Sequence, residues 1–441
     1  MLKDLGLKSI DDLFQDVPED VKLQRLLNIP EGKSEAEVER LIEEAMREDY
    51  APELHRCFLG GGVWAHYVPA VVDEVVSRQE FYTSYTPYQA EASQGMLQAL
   101  YEYQSLICDL TGMEIANSSM YDWASAAGEA GKMAVRITRR RRIIAPRNCG
   151  PQRLEVLKTY CAPVGVDLTI VDYDHRKGCI DYTALKEKVD EGVAAIYFEN
   201  PNYFGVFEEQ AEEVCRLAHQ HGALVIVGLD PTSLSVVKPP ADYGADIVVG
   251  EGQPLGLHLN YGGPLIGIFA ARGGQKVYRQ MPGRIIGETV TKNGNRRCYT
   301  MVMQTREQHI RREEATSNIC TNEALCAVAV ATYLTTLGRR GFRELGRRIM
   351  ESSHYAAKKL GELDGVMSPY YAPFFKDFVV KFLKADPVNI YRNLPRYGVV
   401  GALPLGKDFP ELKDAALFSA TEVHLKSDID LLCDAIKRVL S

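Results

Sequence analysis

Six short apolar runs between residues 141 and 271 constrain this chain more than anything else in it: RRIIAP, DLTIVDYD, VAAIYFENPN, GALVIVGLD, ADIVVGEG and GPLIGIFAA. Each is apolar on successive residues rather than on alternate ones, so each needs cover on both faces. Stretches of helical periodicity, such as EEQAEEVCRLAHQHG, lie between them. Strands of this kind alternating with helices make a largely parallel sheet covered on both sides. Ligands of such sheets gather beyond the carboxyl ends of the strands.

The ends of the chain read differently. SEAEVERLIEEAM opens with a capping box, Ser34 to Glu37, and puts Val38, Leu41, Ile42, Ala45 and Met46 on one helical face that needs something to pack against. Gly60, Gly61 and Gly62 then mark a flexible turn or a close approach of backbone. Beyond residue 325 come long helical stretches, a strand-like DFVVKFL, the turn region YGVVGALPLG and a closing helix, SDIDLLCDAIKRVL. The expected organisation is a helical arm over 1–60, a large α/β domain over 61–325 and a smaller α+β domain over 326–441.

Charge and cysteine usage narrow the function. A net charge of -8 argues against nucleic acid or an anionic membrane surface as partner. No apolar stretch reaches the length of a membrane span, and MLKDLGLKSIDDLFQDVPED has neither a signal-peptide core nor the basic character of a transit peptide. The 10 cysteines include no C-x-x-C pair, as expected of buried thiols in a reducing, cytoplasmic compartment. No histidine spacing of the H-E-x-x-H kind occurs, and no metal is expected.

Several local motifs admit two readings. AAGEAGKM resembles a phosphate loop, yet that pattern needs Gly where Ala126 stands and Ser or Thr where Met133 stands. The small residues there suit either an anion cradle at a helix start or tight helix packing. The basic run Arg139 to Arg142 fits a helix end better than a phosphate site. ENPNYFG puts a turn where ligands usually bind. Asp230, at the end of VIVGLD, suits either a protonated ring nitrogen or a loop cap before Pro231.

Two polar stretches are harder to assign to plain surface. EFYTSYTPYQAEASQG holds Tyr82, Tyr85, Thr86, Tyr88, Gln89, Glu91 and Gln94; RREEATSNICTNEA holds Arg311, Arg312, Thr316, Ser317, Asn318 and Thr321. Both mix polar groups with apolar residues that imply partial burial, and buried polar groups need partners or a ligand.

The chain resembles the glycine cleavage system P-protein family, glycine dehydrogenase (decarboxylating), and within it the separate subunit 1, or alpha. The resemblance runs nearly end to end, through FLGGGVWAHYVPAVV, TSYTPYQAE, ANSSMYDWASAAGEA, GEGQPLGL, YGGPLIGIFA, MPGRIIGET and RREEATSNICT. It implies the type I fold of pyridoxal-phosphate enzymes, in which a lysine just after a strand binds the cofactor covalently. Here Glu251, Gly252 and Gln253 stand at that place, and no lysine occurs between Lys238 and Lys276.

By resemblance, therefore, this is a half-enzyme. The lysine and the pyridoxal phosphate belong to subunit 2, the beta subunit, and an α2β2 assembly decarboxylates glycine and passes the aminomethyl group to the lipoyl arm of H-protein. No residue of this chain alone would then be catalytic. Tyr85, Thr86, Tyr88, Gln89 and Glu91 would line a shared cleft for glycine and the lipoyl arm, and Thr316, Ser317 and Asn318 would reach the partner's cofactor phosphate. Arg311 or Arg312 suits a substrate carboxylate or a helix end. Two other readings stay open: a noncatalytic scaffold or regulatory subunit, and a stand-alone pyridoxal-phosphate enzyme using a remote lysine.

Overall fold

The computed structural model describes residues 1–47 and 54–440. The chain separates into two compact units, Met1–Ala51 and Pro52–Ser441. In the first, the helix Glu35–Met46 starts at Ser34, whose hydroxyl accepts from the Glu37 N–H while the Glu37 carboxylate accepts from the Ser34 N–H. This is the capping box read from SEAE. No residue of that helix is buried, and Val38, Leu41, Ile42 and Met46 are exposed along its apolar face.

The second unit is built on a seven-stranded sheet. Its strands are β1 (Ile115–Ala116), β2 (Arg142–Pro146), β3 (Asp167–Val171), β4 (Val193–Glu199), β5 (Leu224–Leu229), β6 (Ile247–Glu251) and β7 (Gly267–Ala271). All six apolar runs became strands, β2 to β7. The spatial order is β1-β7-β6-β5-β4-β2-β3, and every pairing from β3 through β6 is parallel. Only β7 runs the other way, antiparallel to both β6 and β1. From β2 the chain turns to β3 on one side and then resumes at β4 on the other, so the connections diverge between β2 and β4. That divergence opens a crevice at the carboxyl ends.

The helix Trp123–Thr138 lies on β4 to β7 and against the helix Pro151–Cys161. Its small residues serve packing. A Cβ on Gly131 would fall 2.8 Å from Leu157 Cδ1 and 2.9 Å from Ile143 Cδ1. The basic run also resolves structurally, with Arg140 Nη1 donating to the carbonyls of Val193 (2.9 Å) and His221 (2.7 Å), and Arg142 paired with Asp190.

A hairpin follows, β8 (Ile285–Val290) and β9 (Arg297–Val302), that the sequence reading did not anticipate. Its outer half is exposed and polar, without the apolar run that revealed the core strands. The long helix Ala324–Gly361 is broken at Gly338 (φ 57°, ψ -179°), where the two helical stretches of the sequence meet. It leads to a second, antiparallel sheet of β10 (Val366–Met367), β11 (Asp377–Phe382), β12 (Leu403–Pro404) and β13 (Ala415–Ser419), ordered β10-β11-β13-β12. The closing helix Lys426–Leu440 adds Leu432 and Ile436 to a core with Phe378, Val380 and Phe418. Among the described residues no helix is long and apolar enough to cross a membrane.

Candidate functional site

Three acidic side chains mark the carboxyl ends of the central strands: Glu199 on β4, Asp230 after β5 and Glu251 on β6. All three are buried. A buried carboxylate needs a cation or several hydrogen-bond donors, and the chain supplies both from within. Arg153, from the helix after β2, grips Glu199 with two bonds, Nε to Oε1 at 2.6 Å and Nη2 to Oε2 at 2.7 Å. Its guanidinium also lies 3.9 Å from the centre of the Trp123 ring.

Asp230 takes the loop-capping role and a cation the sequence did not suggest. Oδ1 accepts from the Thr232 N–H (3.0 Å) and hydroxyl (2.8 Å), which is the loop cap. Oδ2 lies 2.8 Å from Lys376 Nζ. Lys376 arrives from the residue before β11, donates to His66 Nε2 at 2.9 Å and rests 3.8 Å above the Trp64 ring. His66 in turn meets Glu422 at 2.8 Å. Burial holds the Lys376 ammonium below its usual range, and the Asp230 carboxylate opposes that shift.

Glu251, Gly252 and Gln253 are turned wholly inward. Glu251 Oε1 accepts from the N–H groups of Gln253 (3.0 Å) and Ile266 (3.1 Å), and Oε2 accepts from the Trp123 N–H at 3.3 Å. Burial nonetheless pushes its carboxyl up to about 8. Gly252 N–H donates to the Ile266 carbonyl, and the Gln253 amide is bound on both sides by the Trp64 backbone. At the start of the Trp123–Thr138 helix, where the sequence admitted an anion cradle, the chain's own carboxylates take two of the N–H groups. Asp122 takes the Ser125 N–H at 2.6 Å and Glu251 takes that of Trp123.

The space left between Trp64, Trp123, Arg153, Asp230 and Lys376 is a cavity of about 10 Å³. That is room for about one water, whereas small-molecule sites run to roughly 300–1,000 Å³. Pyridoxal phosphate does not fit within that cavity, and the neighbouring pocket of about 300 Å³ over Gly60–Gly62, Asp122–Ala124, Arg153 and Glu251 has no lysine in its lining to bind the cofactor covalently. The crevice has no amine at the β6 end, and its carboxylates Glu199, Asp230 and Glu251 are already engaged by Arg153, Lys376 and backbone N–H groups. Gly60 to Gly62 close it from above; Gly60 passes so near Asp377 that a Cβ would lie 2.1 Å from Oδ1.

The two polar stretches come together elsewhere, around a residue that neither contains. Arg284, just before β8, is 2% exposed. Its guanidinium donates to Tyr88 Oη at 2.8 Å, to Glu307 Oε2 at 2.9 Å and to the Cys320 carbonyl, with the Tyr88 ring centre 4.8 Å away. Tyr85 Oη lies 3.1 Å from Thr321 Oγ1, and the Tyr88 ring stands edge-on to His309 at 5.8 Å. Tyr85 and Tyr88 themselves are 71% and 48% exposed. Two exposed tyrosines therefore meet at this cluster, Tyr88 through its hydroxyl on the buried Arg284 and Tyr85 through Thr321.

The other expected site residues divide by exposure. Gln89, Glu91 and Asn318 face solvent, and Thr316 is half-buried with its N–H on the Arg306 carbonyl. Ser317 is buried and its hydroxyl accepts from the Ile319 N–H; Thr86 Oγ1 is buried with no partner. Gln94 is structural, its amide bridging the Tyr299 backbone of β9. Arg311 and Arg312 are exposed. Asn322 Nδ2 donates to the Ser118 carbonyl and Ser119 Oγ, which ties this cluster to the segment entering the Trp123 helix and so to the crevice.

Sequence reasoning missed Lys376, Trp64, Arg153 and Arg284. No local signal marks the first three, which converge from distant segments. Arg284 has one: it is the lone charge between apolar residues and glycines in MPGRIIG, a placement that implies burial with a counter-ion.

The sequence model of the family described as glycine cleavage system P-protein matches residues 1–434. A relative from Staphylothermus marinus, named probable glycine dehydrogenase (decarboxylating) subunit 1, is 46% identical over 100% of this chain and 96% of its own length. A similar relative from Desulfitobacterium hafniense bears the same name at 44% identity over 98% and 95%. Among solved structures, an inhibitor-bound glycine decarboxylase (P-protein) of the glycine cleavage system superimposes with a TM-score of 0.90 at 39% identity, covering 100% of this chain and 97% of that one. The architecture is the type I fold of pyridoxal-phosphate enzymes, as the resemblance implied.

Proposed function

The chain belongs to the glycine cleavage system P-protein family, and from that membership we propose that it is the half of a heteromeric glycine dehydrogenase (decarboxylating) that completes the active site without holding the cofactor. The observation that carries this reading is the filled crevice: Lys376 on Asp230 and Glu251 at the β6 end leave a cavity of about 10 Å³. A subunit whose own site is plugged, yet whose exposed Tyr85 and Tyr88 meet at the Arg284 cluster, contributes at a surface. The relatives named subunit 1 support a second subunit as the other half.

In this reading pyridoxal phosphate, held covalently by a lysine of the partner subunit, supplies the electron sink for loss of carbon dioxide from glycine. The residues of this chain orient. Tyr85, Thr86, Tyr88, Gln89 and Glu91 line the cleft where glycine and the lipoyl arm of H-protein meet. Thr316, Ser317 and Asn318 lie toward the partner's cofactor phosphate. Orientation of a tethered arm beside a reactive carbon is worth several powers of ten in rate. Two copies of each subunit make up the proposed α2β2 assembly.

The test is glycine-dependent exchange of labelled bicarbonate with lipoylated H-protein, using this chain alone, the partner alone and the mixture. Exchange in the mixture only is the expected result. Exchange by this chain alone would overturn the half-enzyme reading, and full exchange by the partner alone would reduce this chain to a scaffold.

A further inference from the structure

We infer that Arg284 is the positioning residue that holds the Tyr88 loop and the Thr316–Thr321 segment in one geometry for catalysis by the assembled enzyme. The inference deepens the proposed function and rests on its reading that Tyr85 and Tyr88 face the shared cleft. Arg284 does not itself touch substrate, since it is 2% exposed beneath the tyrosine.

Its own backbone is fixed first. The Arg284 carbonyl accepts from both the N–H (2.8 Å) and the hydroxyl (3.1 Å) of Ser118, so the side chain springs from an immobile point. The guanidinium then reaches three groups from three separate segments: Tyr88 Oη, Glu307 Oε2 and the Cys320 carbonyl. A planar fork of five donors suits this task, and a lysine ammonium lacks its reach in three fixed directions. The other side-chain tie between the two stretches is Tyr85 to Thr321, which is exposed to competing water and correspondingly weak.

Within the cluster the ion pair itself is made through one nitrogen and one oxygen. Arg284 Nε and Glu307 Oε1 are both buried without partners, although they belong to groups already paired through Nη1 and Oε2. The pair is therefore held by one bond where two are available to a guanidinium and a carboxylate. The bond forgone is the geometry that lets the remaining donors aim at Tyr88 and Cys320.

The experiment uses the complex reconstituted with the partner subunit and three variants of this chain: Arg284→Lys, Tyr88→Phe and the double substitution. Association, absorbance of the partner's cofactor, and kcat and glycine KM for bicarbonate exchange are measured for each. Arg284→Lys is expected to keep association and cofactor absorbance, to leave KM within about twofold and to lower kcat by about tenfold to a hundredfold, the scale of a small misplacement. Tyr88→Phe should lose a similar factor, and the double variant no more than the worse single one, because both break the same tie.

Wild-type kcat in Arg284→Lys, or losses that multiply in the double variant, would overturn the inference. If Arg284→Lys fails to fold, Tyr88→Phe decides: slower exchange together with faster amide hydrogen exchange over 316–321 supports the positioning role, and no change in either overturns it. An inactive wild-type mixture would instead remove the functional reading, an outcome visible before any variant is compared.

Discussion

Lys376 Nζ lies 2.8 Å from Asp230 Oδ2, with both side chains at least 95% removed from solvent. Each charge is tolerable only because of the other. Lys376→Met should leave Asp230 buried with its loop-capping bonds and no cation, at a cost of about 3–5 kcal/mol. Combining it with Asp230→Asn should cost clearly less than the sum of the two single changes. Urea unfolding of the four proteins measures both quantities. Additive losses would mean that the two charges do not interact as their distance indicates.

The same plug predicts how the isolated chain treats pyridoxal phosphate. The inner cavity has room for about one water, and the open pocket beside it has no lysine in its lining to hold the cofactor covalently. Equilibrium dialysis of the chain alone should therefore detect no saturable, one-to-one binding. Saturable binding abolished by urea would show that the crevice opens, and that Glu251 does not close it.

At the surface cluster the expected effect is on turnover rather than stability. Tyr85→Phe removes a hydroxyl whose one partner, Thr321 Oγ1, is itself accessible, so unfolding free energy should shift by about 0.5 kcal/mol or less. In the reconstituted complex, bicarbonate exchange should fall by about tenfold or more if this hydroxyl orients glycine or the lipoyl arm. Thr316→Ala and Asn318→Ala serve as the parallel test of the second stretch. Full activity in all three would remove this surface from the proposed cleft.

How much of this was legible follows from where each signal lies in the chain. The strands β2 to β7 announced themselves because a strand covered on both faces is apolar at every position, a property of a few consecutive residues. The hairpin β8–β9 carries burial only at Ile285, Ile286, Tyr299 and Met301, too sparse to stand out. The absence of a lysine at Glu251 to Gln253 was noticed only through the resemblance to the family, whereas Asp230 was visible because it closes an apolar strand. What fills the crevice was not: Lys376 meets His66 across 310 residues and Trp64 meets Gln253 across 189. Charged runs drew attention to Arg139 to Arg142 and to Arg311 and Arg312, whereas the arginine that organises the surface cluster stands alone among apolar neighbours.

Glu208 carries the pH dependence that is simplest to isolate. Its carboxyl is buried in the segment after β4, accepting at 2.8 Å from the amides of Asn148 and Asn202 and from the Ile180 N–H. Burial pushes its pKa from the ordinary 4.5 up to about 7, and those bonds pull the other way. A carboxyl whose pKa is raised by folding binds its proton more tightly in the folded chain than in the unfolded one. Its stabilising contribution is complete below the unfolded value and is lost as pH rises through the folded one. Between about pH 4.5 and 7 the unfolded chain has released that proton and the folded chain keeps it, so stability should fall by up to about 1.4 kcal/mol per pH unit from this group. Glu251, raised by burial to about 8, acts in the same direction and extends the decline. Asp377, raised by burial to about 6, adds to the same decline, and Glu208→Gln removes only the Glu208 contribution whatever it does to stability at a single pH. Urea midpoints at pH 5, 6 and 7 should therefore decline less steeply in the variant than in the wild type. Parallel slopes would mean that the three N–H donors keep Glu208 ionised throughout, and that hydrogen bonding outweighs burial at this site.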